Sequence, residues 1–354
     1  MNKYWSRLAA GVEPYVPGEQ PRDRKFIKLN TNESPYGPSP RVLEAIKAAA
    51  DDSLRLYPDQ TCDMLISAAA ESYGLKKDQI FAGNGSDEVL ALAFMAFFDP
   101  GRTIVFPNIT YSFYPVYASL FKLDYVTTPL DSEFNIPSEK LMQSSGGIIL
   151  ANPNAPTGKA LPLAKIREVL EGNPGVVVIV DEAYIDYGGE SAVGLIKDYP
   201  NLLVVQTFSK SRALAGMRIG FAFGDSGLIK ALDSIKNSFN SYTLDSLAIV
   251  AGTAALKDAA YYKGTTAKVV ATRERFTKEL RRRGFIVTDS AANFVFASHQ
   301  SIRGEDILMA LRERGILVRY FRKPVTVENH LRISIGTDEE MDAVIRALDD
   351  IVGK

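Results

Sequence analysis

Cysteine occurs once, at Cys62, tryptophan once, and histidine twice, at His299 and His330. A single cysteine rules out an intrachain disulfide and cannot build a thiolate zinc site. A Ser-His-Asp hydrolase or a histidine-rich metal centre would need one of the two histidines, and neither has a partner at motif spacing. Net charge is missing too. The 41 basic and 42 acidic side chains leave −1, which gives no electrostatic case for nucleic acid or an anionic membrane. No apolar run reaches the roughly 18 residues of a membrane span. Residues 1–18 lack the apolar core of a signal peptide. These absences favour the cytoplasm. They leave lysine, tyrosine, arginine and aspartate to carry any chemistry.

What is present is ordinary globular composition over 354 residues, 46% hydrophobic, enough for about two domains. Residues 1–30 read as an irregular arm rich in Pro and Gly. "LNTNESPYGPSP" (29–40) is turn-rich and leads into a helical stretch, and "MLISAAAESYGL" (64–75) reads as another helix. "FAGNGSDEVLALAFMAFF" (81–98) has a short apolar entry, a Gly-rich turn and an apolar helix. "TIVFPN", "GGIILANPNAPTG", "GVVVIVDEAY" and "NLLVVQTFSK" are short β-branched runs that stop at breakers or polar residues. Such runs alternating with helices predict an α/β fold with a parallel sheet covered on both faces. Ligands bind at the carboxyl edge of such a sheet. From about residue 245 long helix takes over, followed by "FIVTDS", "NFVFAS", "ILVRYF" and "HLRISIG". That pattern predicts a smaller α+β unit.

Three stretches can carry chemistry. In "VVVIVDEAY" an apolar run delivers Asp181 into low dielectric, where a carboxylate needs a cation or donor. Taken alone, Asp181 reads equally as a turn or N-cap aspartate, and Tyr184 as a packing tyrosine. In "GNGSDE", Gly85, Ser86 and Asp87 open a helix whose free N–H groups suit a phosphate, although any capped helix looks similar. In "TFSKSRALAGMRIG", Lys210 follows a strand end, where partial desolvation makes an amine nucleophilic. Thr207, Ser209 and Arg218 surround it with anion-binding groups. A single lysine is commonly a solvated surface residue. The conjunction of amine, buried acid and phosphate cup matches the needs of pyridoxal 5′-phosphate.

"GNGSDE", "NPNAPTG", "DEAY", "SKSRALAGMRIG" and "LRISIG" resemble the signature series of class II aminotransferases of the fold-type I pyridoxal-phosphate superfamily. "LNTNESPYGPSP" and "LYPD" (56–59) are similar to the histidinol-phosphate aminotransferase family. The resemblance runs from about residue 13 to 336. It implies a seven-stranded, mostly parallel sheet between helices in a large domain (31–255), a small α+β domain (256–354), and an arm (1–30) packed with the small domain. It implies that Lys210 carries the cofactor aldehyde and moves the substrate proton. Asp181 would face the pyridine nitrogen, Tyr184 the phenolic oxygen, and Tyr111 the ring. The phosphate would lie on Gly85, Ser86, Asp87, Thr207, Ser209 and Arg218. Tyr57 would reach it from a second subunit, which implies a homodimer with shared sites. The family's asparagine before "PTG" is replaced here by Ala155, so the contact passes to Asn154, the first candidate, or to Asn152, or is lost.

The same resemblance assigns substrate phosphate to Arg332, assisted by Arg319 and Tyr15, with Asn32 at the pocket and Tyr242 approaching the neighbouring site, where it reads nearly as well as a packing residue. The expected substrates are histidinol phosphate and glutamate or 2-oxoglutarate. A threonine-phosphate decarboxylase and an aromatic amino-acid aminotransferase share these features. A non-catalytic ligand sensor fused to a DNA-binding module does not, because only about 30 residues precede the first motif. The two histidines have no role in the scheme.

Overall fold

The structure is a computed structural model that describes residues 3–21 and 25–353. Residues 1, 2 and 22–24 of the expected arm, and Lys354, lie outside the described residues. Strand β1 (Ile27–Leu29) belongs to a second sheet, taken up below. The first sheet contains β2 (Ile80–Asn84), β3 (Ile104–Pro107), β4 (Tyr125–Thr128), β5 (Gly147–Ala151), β6 (Val178–Asp181), β7 (Leu202–Thr207) and β8 (Ile219–Gly224). Its order is β2-β8-β7-β6-β5-β3-β4. Only β8 runs antiparallel, to both its neighbours.

The sequence dictates this layering through a period of two. Ile148, Leu150, Val178, Val180, Leu202 and Val204 point to one face, where helices Asp63–Tyr73, Leu163–Glu171 and Ser246–Lys257 cover them. Ile149, Ile179, Leu203 and Val205 point to the other, under helices Gly85–Phe97, Tyr114–Phe121 and Ser226–Phe239. All ten of these side chains have no accessible surface, and each such burial contributes about 1.5–3 kcal/mol. The seven-stranded α/β sheet expected above is therefore present.

The second sheet adds β9 (Phe285–Val287), β10 (Phe294–His299), β11 (Ile316–Tyr320) and β12 (Leu331–Ser334), in the order β1-β11-β12-β10-β9. β1 joins it parallel to β11, with Ile27 opposite Ile316. Helices Ala259–Arg282, Gly304–Glu313 and Asp338–Val352 pack on it around Phe276, Leu311, Ile333 and Leu348. Among the described residues no helix is long and apolar enough to cross a membrane.

Candidate active site

The carboxyl ends of β6 and β7 and the start of β8 meet the first turn of helix Gly85–Phe97. Two glycines set that meeting. A β-carbon on Gly220 would lie 2.4 Å from the carbonyl carbon of Gly85, so only glycine lets β8 carry the helix start this closely. Gly85 has φ of +80°, and a β-carbon there would lie 2.5 Å from Arg218 Nη2. The bare Gly85 backbone thus makes the seat for the Arg218 guanidinium. Arg218 then donates to Asp87 Oδ2 at 3.0 Å, and Tyr111 Oη donates to Asp87 Oδ1 at 2.8 Å. Asp87 is held by its own neighbours, which leaves the amide groups of the turn free for an anion. Thr207 Oγ1 donates to Ser209 Oγ at 3.0 Å beside them.

Asp181 is 4% exposed at the end of β6. Its carboxylate accepts from Tyr114 Oη at 2.9 Å and from the Ala183 amide at 3.3 Å. Burial raises its pKa to about 6, against the pull of those two donors. No salt bridge reaches it among the described residues. A buried carboxylate without a cation fits a protonated ring nitrogen. Lys210 Nζ donates to the Thr31 carbonyl at 3.3 Å and stands 5.9 Å from the Tyr184 ring. Tyr184 Oη accepts from Asn32 Nδ2 at 3.0 Å. Asn32 occupies the left-handed region at φ 57°, which asparagine tolerates. It is fixed there because its own N–H donates to Ser334 Oγ and its Oδ1 accepts from the same hydroxyl, each at 2.9 Å.

At the other end of the cavity stand two arginines with no carboxylate partner among the described residues. Arg332 donates to the Asn30 carbonyl at 3.0 Å and lies over the Phe294 and Phe321 rings. Its Nε is buried with no partner, and burial lowers its pKa from the usual arginine value. Arg319 donates to the Val16 carbonyl at 3.3 Å. Tyr15 packs its ring on Phe113 with centroids 4.5 Å apart.

One cavity of about 250 Å³ gathers Tyr15, Asn32, Ser86, Asp87, Tyr111, Asp181, Tyr184, Thr207, Ser209, Lys210, Arg218, Arg319 and Arg332. Four residues singled out in the sequence are elsewhere. Gly85 sits behind Arg218. Asn154 is fully buried beneath the wall, where its Nδ2 donates to the Ile109 carbonyl and Thr157 Oγ1; Ala155 and Pro156 line the cavity instead. Tyr57 and Tyr242 stack on each other at 4.7 Å away from this cavity, 82% and 41% exposed. Conversely, Tyr114, Glu33 and Phe321 were not read as site residues. The one signal that could have exposed Tyr114 is its place three residues after Tyr111, at the start of helix Tyr114–Phe121.

An amine, a buried acid lacking a cation, a bare helix start with an arginine and two hydroxyls: this donor set fits pyridoxal 5′-phosphate. The profile of the family Aminotransferase class I and II matches residues 24–348. The chain belongs to that family. Among curated relatives, the histidinol-phosphate aminotransferase of Clostridium botulinum (strain Okra / Type B1) is 54% identical over 354 residues, covering 100% of both chains. The histidinol-phosphate aminotransferase of Clostridium acetobutylicum is 56% identical over 341 residues, 96% of this chain and 97% of that one. Among solved structures, the histidinol-phosphate aminotransferase of Sinorhizobium meliloti in complex with pyridoxal-5′-phosphate superposes with a TM-score of 0.91 at 26% identity, covering 100% of this chain and 98% of that one. The family resemblance carried by the motifs holds, and so does the fold-type I architecture.

Beneath the Asp181 and Thr207 ends of β6 and β7 lies a second layer of polar contacts. Glu182 and Gln206 follow Asp181 and precede Thr207, so they point to the opposite face of the sheet. Gln206 Nε2 donates to Glu182 Oε2 at 2.8 Å, and Ser191 Oγ and the Ala192 amide donate to the same carboxylate at 2.6 Å each. Burial pushes Glu182 up to about 7 against these donors. The cross-link ties the β6 and β7 ends from beneath.

Proposed function

We propose that this chain is a histidinol-phosphate aminotransferase. It transfers the amino group between L-histidinol phosphate and 2-oxoglutarate, giving imidazole-acetol phosphate and L-glutamate, a step of L-histidine biosynthesis. The observation that carries this reading is the identity of 54–56% to relatives of that name over essentially the whole chain. Pyridoxal 5′-phosphate, when bound, supplies an aldehyde for the substrate amine and a ring that accepts the electron pair left when the substrate carbon loses its proton.

The chain's own residues do the rest. Lys210 Nζ would take the proton from the amine-bearing carbon and deliver it across the nitrogen to the carbon contributed by the cofactor aldehyde. Asp181 keeps a proton on the ring nitrogen, and Tyr114 keeps Asp181 aimed. Tyr184, fixed by Asn32, hydrogen-bonds the phenolic oxygen. Ser86, Thr207, Ser209, Arg218 and the Gly85–Asp87 amides hold the cofactor phosphate. Arg332 and Arg319, with Tyr15, take the substrate phosphate in one half-reaction and a carboxylate in the other. Ala155 leaves the position before "PTG" without a polar contact, and Asn154 serves the wall rather than the ring.

Tyr57, Leu54, Leu56 and Phe239 are exposed at 82%, 49%, 55% and 75%. With Tyr242 they form an apolar surface that a second copy would cover, letting Tyr57 reach the partner's phosphate site. The protein is then a cytoplasmic homodimer. The larger unit spans 31–255, the smaller 256–354, and the arm 1–30 packs with the smaller.

The deciding experiment adds L-histidinol phosphate to the purified, cofactor-loaded protein and follows the visible absorption band as it converts to that of pyridoxamine phosphate. Rapid conversion is expected. Threonine phosphate and phenylalanine serve as controls. Conversion by a control but not by histidinol phosphate overturns the substrate. Sedimentation should give a dimer, and Tyr57→Ala should weaken cofactor binding.

A further inference from the structure

The segment from Asn30 to Glu33 passes three different chemistries in chain order. The Asn30 carbonyl accepts from Arg332 at 3.0 Å, the Thr31 carbonyl accepts from Lys210 Nζ at 3.3 Å, and Glu33 Oε2 accepts from Thr31 Oγ1 at 2.7 Å. Cation, amine and carboxylate thus gather along the four residues 30–33, a span of at most about 10 Å. All four residues line the cavity. The substrate proposed above has the complementary order: phosphate, amine-bearing carbon, imidazole.

Three carboxylates line this cavity. Asp87 is consumed by Arg218 and Tyr111, and Asp181 by Tyr114 and the Ala183 amide. Glu33 differs. Lys28 Nζ, at 2.5 Å, and Thr31 both bind its Oε2, and among the described residues Oε1 has no hydrogen-bond partner. Its side chain is 45% exposed, within reach of a ligand. Burial pulls its pKa up, but the hydrogen bonds of Lys28 and Thr31 and the charges of Lys28 and Lys210 hold it below the usual value. The carboxyl is therefore an anion with one open oxygen. The left-handed turn at Asn32 folds Glu33 back toward Thr31 and the amine.

We propose that Glu33 is a specificity-determining residue: its open carboxylate oxygen accepts a hydrogen bond from the imidazole N–H of the substrate. The inference rests on the histidinol-phosphate reading. An imidazole presents an N–H, and its protonated form presents two. A phenyl ring or the methyl group of threonine phosphate presents none. Glu33 therefore favours the imidazole substrate over ring-bearing phosphates of similar size, while the arginines serve all of them.

The test measures kcat/KM for L-histidinol phosphate and for L-phenylalaninol phosphate on the same preparation, so that differences in active fraction cancel in the ratio. Glu33→Ala should lower the ratio by roughly 10-fold, the scale of a hydrogen bond to a charged group. Glu33→Gln, which keeps an acceptor and loses the charge, should lower it less. Lys28→Met removes the ion pair, keeps the carboxylate and should keep the ratio. A ratio within twofold of wild type in Glu33→Ala overturns the proposal. So does an equal fall in Lys28→Met, which would assign the effect to the ion pair. Wild-type protein inert toward histidinol phosphate would remove the reading beneath it, and that result is seen before any variant is made.

Discussion

Gly85 and Arg218 share a space that only one of them can fill. Gly85→Ala would place a β-carbon 2.5 Å from the guanidinium at φ +80°, at a conformational cost of about 1–2 kcal/mol before any clash. Arg218 must then move, and the anion seat loses its cation. We expect pyridoxal phosphate to bind at least about tenfold more weakly to the apo variant, read by absorbance titration, with the fold retained by circular dichroism. Lys210→Ala should abolish band conversion in a single turnover with either amino donor. Unchanged conversion would refute the role given to the amine. Tyr114→Phe removes the hydroxyl donor from buried Asp181, and leaving that oxygen unpaired costs about 1–3 kcal/mol. A drop in kcat with little change in KM is the expected signature. Asp181 and Lys210 were legible in the sequence because each stands where an apolar strand runs out. Tyr114 was not, because its partner Asp181 lies 67 positions along the chain, and Glu33 was not, because its hydrogen bonds to Lys28 and Thr31 are local and only the fold brings that turn to the Lys210 cavity.

At the level of elements, Gly220 in β8 governs how closely the Gly85–Phe97 helix approaches the sheet. Gly220→Ala inserts a methyl 2.4 Å from the Gly85 carbonyl carbon. Overpacking of this kind costs about 1–3 kcal/mol. The melting temperature should fall, and cofactor affinity should fall with it, since the displaced helix start is the phosphate seat. β5, β6 and β7 could be read directly as unbroken apolar runs, buried on both faces. β8, β4 and β1 could not. β8 carries glycine at both the second and last of its six positions. β4 is an edge strand with Tyr125 and Val126 exposed, and β1 has three residues in a segment otherwise full of turn formers. Each lacks the local signal because its pairing, rather than its composition, makes it a strand.

For the molecule as a whole, adjacent Asp181 and Glu182 store a pH dependence. Burial raises them from 3.8 to about 6 and from 4.5 to about 7. A carboxyl whose folded pKa is raised holds its proton better folded than unfolded. Its contribution is therefore full at low pH and is lost as pH rises from about 4 to 7, roughly 3 kcal/mol for each group. The apo protein's melting temperature should accordingly fall across that window relative to Asp181→Asn and to Glu182→Gln. Cofactor should flatten the Asp181 share, since a ring cation compensates the charge. Wild type and Asp181→Asn responding in parallel to pH without cofactor would contradict this.

The pairing of Ile27 with Ile316 sets a timetable for biosynthesis. The segment that presents Thr31, Asn32 and Glu33 to the reacting centre is synthesised well before β11, the strand on which it docks. The nascent seven-stranded sheet can assemble around its own core once β8 is made, but a competent catalytic rim must wait for β11 and β12. A chain cut short before β11 would keep the core of the first sheet and lack both the docking strand and the two arginines of the rim.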